Sequence, residues 1–357
     1  MPQVTHVVGT RPNFVKAAPV IRACAELGLR QRVVHTGQHY DERLSGSIIA
    51  DVGMQKPDIF LGIGSGSHAA QTARGLDALE VDFCAHQPSL VCTYGDVNSS
   101  VAAALVASKL TIPVAHIESG LRSFDSRMPE EQNRKIIDVL SALHFTTEAS
   151  AGSNLEAEGH SQESISFVGN TMIDTLEWTR DKWEQTVPHA RPGTSDFCLV
   201  TVHRPSNTDD PNRLHNIFSE LELLAQHFPV IVAAHPRLEI SMRRMGLEFS
   251  GRNKLMTPAL GYWEMLSMVA SAGAVITDSG GLQEEASYLG IPCHTVRDNT
   301  ERPVTVSHGT NKLVEIDLLS STVLRRFGLR TPVQIPLWDG LAAKRVAAEI
   351  FRFLEAL

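Results

Sequence analysis

Several acidic and histidine side chains stand where short apolar runs of the sequence change to polar residues, and their types suit acid–base chemistry. Carboxylic acids and imidazoles transfer protons near neutral pH when their surroundings tune their pKa values. Several carboxylates in one partly desolvated site raise the pKa of at least one of them. Glu130 follows Pro129 at a predicted helix start, where a carboxylate often serves only to satisfy the helix dipole. The acid–base candidates are Asp96, Glu118, Glu130, Glu131 and His203.

A second group of residues suits the binding of a phosphate. The run Thr277-Asp278-Ser279-Gly280-Gly281 ends an apolar stretch and opens a predicted helix over Leu282–Leu289. Small residues at a helix start let a phosphate approach the N–H groups, where the helix dipole favours an anion. Asp278 and Ser279 could instead be simple N-caps of that helix. Glu285 lies on the same helix, where a carboxylate can accept hydrogen bonds from both ribose hydroxyls of a nucleotide.

Basic residues near other predicted strand ends could complete a diphosphate site. Arg302 follows the next apolar run, and Arg11 and Lys16 flank the first strand–helix turn. Three cations and a helix N-terminus match the charge of a diphosphate. His235 closes a further apolar run and joins the same candidate set. For each basic residue, pairing with a surface carboxylate is the alternative interpretation.

Other kinds of site lack their sequence motifs. The sequence has 15 histidines but no H-E-x-x-H, and His35 and His39 straddle a strand end rather than sharing a helical face. The run Gly62-Ile63-Gly64-Ser65-Gly66-Ser67 has G-x-G-x-G spacing rather than G-x-G-x-x-G, so it predicts a loop before a helix and no NAD. There is no G-x-S-x-G for a serine nucleophile. We therefore expect no metal and no cofactor.

The elements that must position these residues alternate along the chain. Short apolar runs and longer amphipathic stretches follow one another, which is typical of a parallel sheet covered by helices. Strands are predicted at Thr5–Val8, Arg32–His35, Leu90–Thr93, Val114–Ile117, Ile165–Val168, Phe197–Thr201, Val230–Ala234, Ala274–Thr277 and Pro292–Val296. Helices are predicted at Val15–Leu27, Val97–Ser108, Glu130–Leu140, Met172–Trp183, Leu282–Leu289 and Leu341–Leu357.

The length of 357 residues predicts two domains, since a domain usually has roughly 150 residues. The segment Gln185–Ser195 is the predicted linker, because it has two prolines, a glycine and no periodicity. The predicted domains are 1–185 and 186–340, followed by a helix at 341–357 that packs on either of them. Open parallel sheets bind ligands beyond the carboxyl ends of their strands, so two facing sheets would form one deep cleft.

Charge and cysteine content exclude several classes of protein. A formal charge of -8 argues against a broad surface for nucleic acid or anionic membrane. Five scattered cysteines without a C-x-x-C pair are typical of buried thiols in a reducing compartment. No uncharged apolar run approaches the 18 or more residues of a membrane helix. We expect a soluble, cytoplasmic protein.

Seven long segments, taken in order, resemble the UDP-N-acetylglucosamine 2-epimerase family. The segments are GTRPNFVKAAPV at 9–20, TGQHYD at 36–41, YGD at 94–96, HIESGLRSFDSRMPEEQNRK at 116–135, VGNTMIDTL at 168–176, TVHRPSN at 201–207 and TDSGGLQEEASYLGIP with RDNTERP at 277–303. The resemblance runs from about residue 4 to residue 315. The resemblance implies two Rossmann-like α/β domains in the glycosyltransferase-B arrangement, with the active site in the interdomain cleft, and a homodimer.

The reaction that the resemblance implies is inversion of C2 of UDP-GlcNAc to give UDP-ManNAc. UDP is eliminated with loss of the C2 proton, and it then re-adds to 2-acetamidoglucal. Matching by position assigns UDP binding to Arg11, Lys16, His203, Ser279, Gly280, Gly281, Glu285 and Arg302, and His235 stays a further candidate for this set. The matching catalytic set is Asp96, Glu118, Glu130 and His203, with the base and the acid not ordered among the carboxylates.

The sequence departs from the family at two places. Regulated members bind a second UDP-GlcNAc through a Gln and an Arg where this chain has Asp41 and Ser67, so activation by substrate is not expected. Several members stack an aromatic residue on the uracil where this chain has Met265, with Tyr262 one turn earlier.

Alternative functions are a hydrolysing 2-epimerase that releases ManNAc and UDP, a 2-epimerase for a 3-acetamido or uronate sugar, a glycosyltransferase, and a non-enzymatic sensor. Three cleft carboxylates argue against the last two.

Overall fold

The computed structural model describes residues 2–37, 48–187 and 197–357. The chain divides into two compact units, of which the first comprises Met1–Thr179 with Pro336–Leu357 and the second comprises Arg180–Ile335. These divisions lie six and five residues before the boundaries predicted at 185/186 and 340/341. Most of the predicted linker, from residue 188 onward, lies outside the described residues, as do residues 38–41 of the TGQHYD motif.

The first unit is built on a seven-stranded parallel sheet in the order β3-β2-β1-β4-β5-β6-β7. Its strands are β1 Gln3–Val8, β2 Arg30–His35, β3 Ile59–Phe60, β4 Leu90–Tyr94, β5 Val114–Ile117, β6 Leu143–Thr146 and β7 Ile165–Phe167. Its helices before the second unit are α1 Arg11–Glu26, α2 His68–His86, α3 Asn98–Lys109, α4 Pro129–Leu140, α5 Ala149–Ala157 and α6 Thr171–Trp178.

The second unit has a six-stranded parallel sheet in the order β10-β9-β8-β11-β12-β13. Its strands are β8 Cys198–Thr201, β9 Val230–Ala233, β10 Lys254–Thr257, β11 Ala274–Thr277, β12 Cys293–Thr295 and β13 Asn311–Leu313. Its helices are α7 Arg180–Gln185, α8 Pro205–Thr208, α9 Pro211–Leu224, α10 Pro236–Met245, α11 Tyr262–Ser271, α12 Gly280–Tyr288, α13 Pro303–Ser307 and α14 Leu319–Arg326.

The central strands of both sheets are buried on both faces. Every residue of β4, β5, β8 and β11 is buried. Because helices cover both faces of an all-parallel sheet, the side chains on both sides of a central strand are buried. The sequence of such a strand is therefore a near-continuous apolar run rather than an alternation of apolar and polar residues. This explains why the central strands stand out in the sequence as apolar runs.

Both sheets reverse their strand order at the same relative position. In the first unit the reversal lies between β1 and β4, and in the second it lies between β8 and β11. Ligands of doubly wound sheets bind at such a switch point, beyond the carboxyl ends of the strands. The predicted pair of Rossmann-like α/β domains is thereby confirmed.

The last helix, α15 Ala342–Glu355, belongs to the first unit. Asp174 on α6 accepts hydrogen bonds from the first backbone N–H groups of α15, Ala342 N at 3.1 Å and Ala343 N at 2.6 Å. Val346 and Ile350 are fully buried on its inner face. The helix therefore completes the core of a unit whose other residues come from the first half of the chain.

Three predictions about elements are wrong in detail. The single helix predicted over Met172–Trp183 is interrupted at Thr179, where the chain passes from one unit to the other. The first helix begins at Arg11 rather than Val15, because Asn13 accepts hydrogen bonds from the N–H groups of Gly9 and Thr10 at 3.1 Å each and so holds the start of the helix. The strands missed by the prediction are β3, β6, β10 and β13. Among the described residues, no helix is both long enough and apolar enough to cross a bilayer.

Candidate active site

A buried ion pair lies at the carboxyl edge of the first sheet. Glu118 directly follows β5, and its Oε2 contacts Nζ of Lys16 from the second turn of α1. Both side chains are almost wholly buried, at 8% and 5% exposure. Glu118 adopts a φ of 74°, in the left-handed region that non-glycine residues rarely occupy. Residues held in such conformations cluster at active sites.

Gly95 allows this pair to approach the end of β4. It has a φ of 59°, and its N–H donates to the carbonyl of Ile117 at 3.0 Å. A Cβ at this position would lie 2.8 Å from Glu118 Oε2 and 3.1 Å from Lys16 Nζ. A side chain at this position would therefore displace the ion pair. This close approach lies one residue before Asp96 in the chain.

Asp96 is held by a guanidinium from α4. Its Oδ2 contacts Nη1 of Arg134, and its backbone carbonyl accepts from Asn133 Nδ2 at 2.7 Å. A quarter of the Asp96 side chain is exposed, whereas Arg134 is buried. Two consecutive residues of one helix thus fix both the backbone and the carboxylate of Asp96, which still has access to a ligand.

The two glutamates at the start of α4 have different surroundings. Glu131 is buried and accepts from Ser123 N at 2.8 Å, from Phe124 N at 3.1 Å and from Arg134 Nη2 at 2.7 Å. Burial alone would raise the pKa of Glu131, but the hydrogen bonds from Ser123 and Arg134 lower it below its ordinary value. Glu130 is half-buried in the first turn of the helix. Glu131 therefore has a structural role, and Glu130 is the carboxylate of the two that a ligand can reach.

Arg11 opens α1 at the same edge of the sheet and is half-buried. Asn13 links this helix start to β4, the neighbour of β1 in the sheet, because its Nδ2 donates to the carbonyl of Tyr94 at 2.7 Å. The ends of β1, β4 and β5 are therefore tied together at the switch point of the first sheet. Among the predicted residues, Arg11, Lys16, Asp96 and Glu118 follow these strands.

In the second unit, His203 pairs with a buried aspartate at the corresponding switch point. The Nδ1 atom of His203, after β8, lies 2.9 Å from Oδ1 of Asp278, after β11. Asp278 also accepts from the backbone N–H groups of His203 and Arg204 and from Asn207 Nδ2 at 2.9 Å. Burial raises the pKa of Asp278, but His203 and these donors lower it to about 2.

An ionised Asp278 requires the proton of His203 to sit on Nδ1, so its other ring nitrogen, Nε2, faces away from the aspartate. The His203 side chain is one-third exposed. The exposed ring of His235 lies 5.4 Å from it, measured between ring centroids. The two imidazoles thus form one accessible pair at the edge of the second sheet.

Helix α12 starts at Gly280, with Ser279 at its N-cap. Asp278 turns toward the β8 loop, and within the described residues Ser279 makes no capping hydrogen bond through its side chain. Ser279 therefore occupies the N-cap position without capping through its side chain, and the carboxylate of Asp278 binds the β8 loop instead. A Cβ at Gly280 would lie 2.9 Å from Oε1 of Glu301, so glycine permits the following loop to come close. Glu285 is buried one turn further along α12.

Arg302 lies within a buried cluster of charges beside this helix. Its Nε is 2.8 Å from Oε1 of Glu284, and its Nη1 is 3.6 Å from Oε1 of Glu301. Burial opposes ionisation of Glu301, but Arg302 and Arg297 hold its pKa well below the ordinary range. The cluster fixes Arg302 in place, so its guanidinium is preorganised next to the start of α12.

Sequence reasoning missed the partners that orient these side chains. Asp278 was considered for phosphate binding or capping, yet it holds His203, and Arg134 was not singled out at all. Arg134 follows Glu131 by three residues on one helix face, which was a readable signal, but its contact with Asp96 is tertiary.

Three of the four residues at which the sequence departs from the family, Ser67, Tyr262 and Met265, take part in helix capping or in packing. Ser67 accepts from Ala70 N at 3.2 Å as the N-cap of α2, and Asp41 lies outside the described residues. Tyr262 is buried in the first turn of α11, and Met265 packs on the apolar core below the sheet. In the ranges that the structure covers, no three His, Cys, Asp or Glu side chains cluster as a metal site requires.

Comparison with known proteins places the chain in a family. Residues 22–350 match the family model described as UDP-N-acetylglucosamine 2-epimerase. A UDP-N-acetylglucosamine 2-epimerase of Methanocaldococcus jannaschii is 39% identical over 323 residues, covering 87% of this chain and 88% of its own. A UDP-2,3-diacetamido-2,3-dideoxy-D-glucuronate 2-epimerase of Pseudomonas aeruginosa is 40% identical over 316 residues, with the same coverage.

A solved structure gives the same result. The crystal structure of Methanocaldococcus jannaschii UDP-GlcNAc 2-epimerase in complex with UDP-GlcNAc and UDP superposes with a TM-score of 0.92. Its sequence is 34% identical, and the match covers 98% of this chain and 99% of that one. This chain therefore belongs to the UDP-N-acetylglucosamine 2-epimerase family.

Proposed function

We propose that this protein is a non-hydrolysing epimerase that interconverts UDP-GlcNAc and UDP-ManNAc. The observation that carries the proposal is the buried Lys16–Glu118 pair at the switch point of the first sheet, where Asp96 follows the neighbouring strand β4. A buried carboxylate next to a more accessible one gives two proton-transfer groups with different surroundings, as an acid–base pair requires. The relatives and the structure named above, which act on or bind UDP-GlcNAc, support this substrate.

In this proposal the two units bind different parts of the substrate. Asp96, Glu118 and Glu130 face the sugar, and Arg11 and Lys16 lie near the diphosphate. The second unit binds UDP through His203, His235, Ser279, Gly280, Gly281, Glu285 and Arg302. No cofactor is required, because the substrate supplies its own leaving group.

The chemistry explains why both sets are needed. The C2 hydrogen of the sugar has no adjacent carbonyl to acidify it, so departure of UDP must drive its removal. The C1–O bond breaks, a carboxylate takes the C2 proton, and the electron pair forms the C1=C2 double bond of 2-acetamidoglucal. Re-addition of UDP at C1, with a proton delivered to the other face of C2, gives the epimer. Donors at the start of α12, with Arg302, would stabilise the developing diphosphate charge.

A sugar with a uronate group is the second candidate. The Pseudomonas relative named for a diacetamido-glucuronate is as similar to this chain as the archaeal relative named for UDP-GlcNAc. The hydrolysing alternative differs only in the last step, where free ManNAc is released in place of UDP-ManNAc. A glycosyltransferase is disfavoured, because it has no use for three carboxylates near C2.

Incubation with UDP-GlcNAc in deuterated water, followed by NMR, separates these functions. Deuterium at C2 in a mixture of two UDP-sugars is the expected result. Free ManNAc would identify the hydrolase. Absence of both exchange and product with UDP-GlcNAc, combined with exchange in the diacetamido-glucuronate substrate, would replace the primary proposal by the second candidate.

Asp96→Asn tests the proposed role of the accessible carboxylate. We expect C2 exchange to be abolished while UDP binding, measured by calorimetry, stays close to wild type. Asp339→Asn is the matched control, because it alters another aspartate of the first unit that pairs with an arginine, Arg345. Unchanged exchange in Asp96→Asn would remove Asp96 from the catalytic set.

The glycosyltransferase-B arrangement with a shared cleft, the homodimer and the cytoplasmic location stay predictions. Light scattering of the purified protein measures the oligomeric state directly.

A further inference from the structure

Asp138 is a fully buried carboxylate on α4 that no step of the proposed reaction uses. Its Oδ1 lies 2.6 Å from both His116 Nδ1 and Ser119 Oγ. Its Oδ2 accepts from Gly120 N at 3.2 Å and from Arg122 Nη2 at 2.7 Å. Burial would raise the pKa of Asp138, but His116, Arg122 and Ser119 hold it well below the ordinary range, so the group is ionised.

The partners of Asp138 surround Glu118 in the chain. His116 precedes Glu118 by two residues, and Ser119 and Gly120 follow it. A left-handed backbone such as that of Glu118 is strained and persists only when its surroundings over-determine it. Asp138 supplies that constraint, because it binds the residues on both sides of Glu118.

The same network reaches the strand that carries Asp96. The Nε2 atom of His116 lies 3.0 Å from the carbonyl oxygen of Gly95. The path from Asp138 through His116 thus ends at the residue directly before Asp96. One carboxylate therefore connects the backbones that present both Glu118 and Asp96.

The partners of His116 determine its charge. Nε2 faces a carbonyl oxygen, which only accepts, and Nδ1 faces the ionised Asp138, which also only accepts. A neutral imidazole has one N–H and would turn a lone pair toward one of these oxygens. Both contacts are satisfied only when His116 carries two protons and a positive charge.

This charge is balanced inside the network. Arg122 pairs with Asp138 and also with Glu158, through Nη2 to Oε2 at 2.6 Å. Two cations, His116 and Arg122, face two anions, Asp138 and Glu158. Glu118 is not needed to neutralise His116, and it pairs with Lys16 on the other side.

We propose that Asp138 and a doubly protonated His116 are positioning residues that hold Glu118 and Asp96 in their reactive arrangement. The catalytic part of this inference rests on the proposed epimerase function, whereas the charge of His116 does not.

NMR of protein labelled with 15N-histidine tests the charge state independently of activity. The titratable groups that interact with His116 are Asp138, which accepts from its ring, and His144, whose Nε2 contacts the backbone carbonyl of Asp138 instead. We expect two protonated ring nitrogens for one signal, assigned by its loss in His116→Gln. An unprotonated nitrogen at His116 would overturn the proposal.

Kinetics of two variants test the positioning role. In Asp138→Asn we expect kcat for C2 exchange to fall by about 10²-fold, the effect of misplacing a reacting group by about 1 Å, with KM close to wild type. His116→Gln should behave alike, and it keeps the Asp138–Arg122 pair, so it still reports if Asp138→Asn does not fold. Asp174→Asn, which alters a buried aspartate of α6 that accepts from the start of α15, is the control and should retain kcat.

The outcomes separate the two proposals. Wild-type kcat in folded Asp138→Asn or His116→Gln would refute the positioning role. Wild-type protein without C2 exchange on any of the candidate UDP-sugars would refute the proposed function, and the NMR result for His116 would still decide its charge.

Discussion

Gly95→Ala places a methyl group where the structure has no room for one. The new Cβ would lie 2.8 Å from Glu118 Oε2 and 3.1 Å from Lys16 Nζ, and the first distance is shorter than real Cβ contacts allow. Both neighbours are buried members of one ion pair, so neither can turn into solvent. The carboxylate of Glu118 must therefore move.

Two effects of this substitution have separable magnitudes. The first is conformational, because a left-handed residue with a Cβ is disfavoured by about 1–2 kcal/mol, and Gly95 has a φ of 59°. The second is displacement of Glu118, where a shift of about 1 Å corresponds to about 10²-fold in rate. We expect a modest loss of stability with a large loss of kcat for C2 exchange.

Gly28→Ala is the matched control. Gly28 has a φ of 73°, and no described atom lies within 4 Å of the position of its Cβ. It therefore reproduces the conformational effect without the contact. Unfolding in urea should show a larger loss of free energy for Gly95→Ala, because the contact with the buried ion pair adds to the conformational cost that both variants share. Deuterium exchange at C2 should be reduced only in Gly95→Ala. Equal exchange rates in Gly95→Ala and Gly28→Ala would refute the claim that the close approach at Gly95 positions Glu118.

Two further substitutions test charges in the site. The fold lowers the pKa of Asp278 from 3.8 to about 2, so ionisation of Asp278 contributes roughly 2 kcal/mol to the free energy of unfolding above about pH 4. This contribution should be lost as the pH falls from about 4 to about 2. Acid unfolding of Asp278→Asn should lack that loss. Lys16→Met removes the ammonium partner of the buried Glu118 and should lower the free energy of unfolding by about 3–5 kcal/mol, because it leaves a buried charge unpaired. Adding Glu118→Gln removes that charge and should restore much of the lost stability. A double mutant no more stable than Lys16→Met would contradict the claim that the unpaired charge of Glu118 causes the loss.

The sequence predicted the central strands well because their physical signal is local. Val114–Ile117 was predicted with its observed bounds, since three of its four residues are apolar and the strand is buried. Leu143–Thr146 was missed, because only Leu143 and Phe145 are apolar and the segment follows a helix almost directly. The helix predicted over Met172–Trp183 was continuous in periodicity, and only tertiary structure reveals that it changes unit at Thr179.

The candidate site shows the same division. The placement of Asp96 and Glu118 follows from strand ends, which the sequence indicates. The pairing of Glu118 with Lys16, 102 residues away, and of Asp96 with Arg134, 38 residues away, depends on how helices pack on the sheet. The left-handed backbone of Glu118 likewise has no local signature, because glutamate does not favour it.

The return of the last helix to the first unit sets an order of events during synthesis. Domains fold as units while the chain is made from its N-terminus. The second unit is one continuous segment, Arg180–Ile335, and it is complete before α15 is translated. The first unit is incomplete until α15 is made. Until then the surface of α1 and α6 that α15 covers is exposed, and Asp174 lacks the two N–H groups that donate to it. We therefore expect the first unit to reach its final packing only after the second unit has already folded.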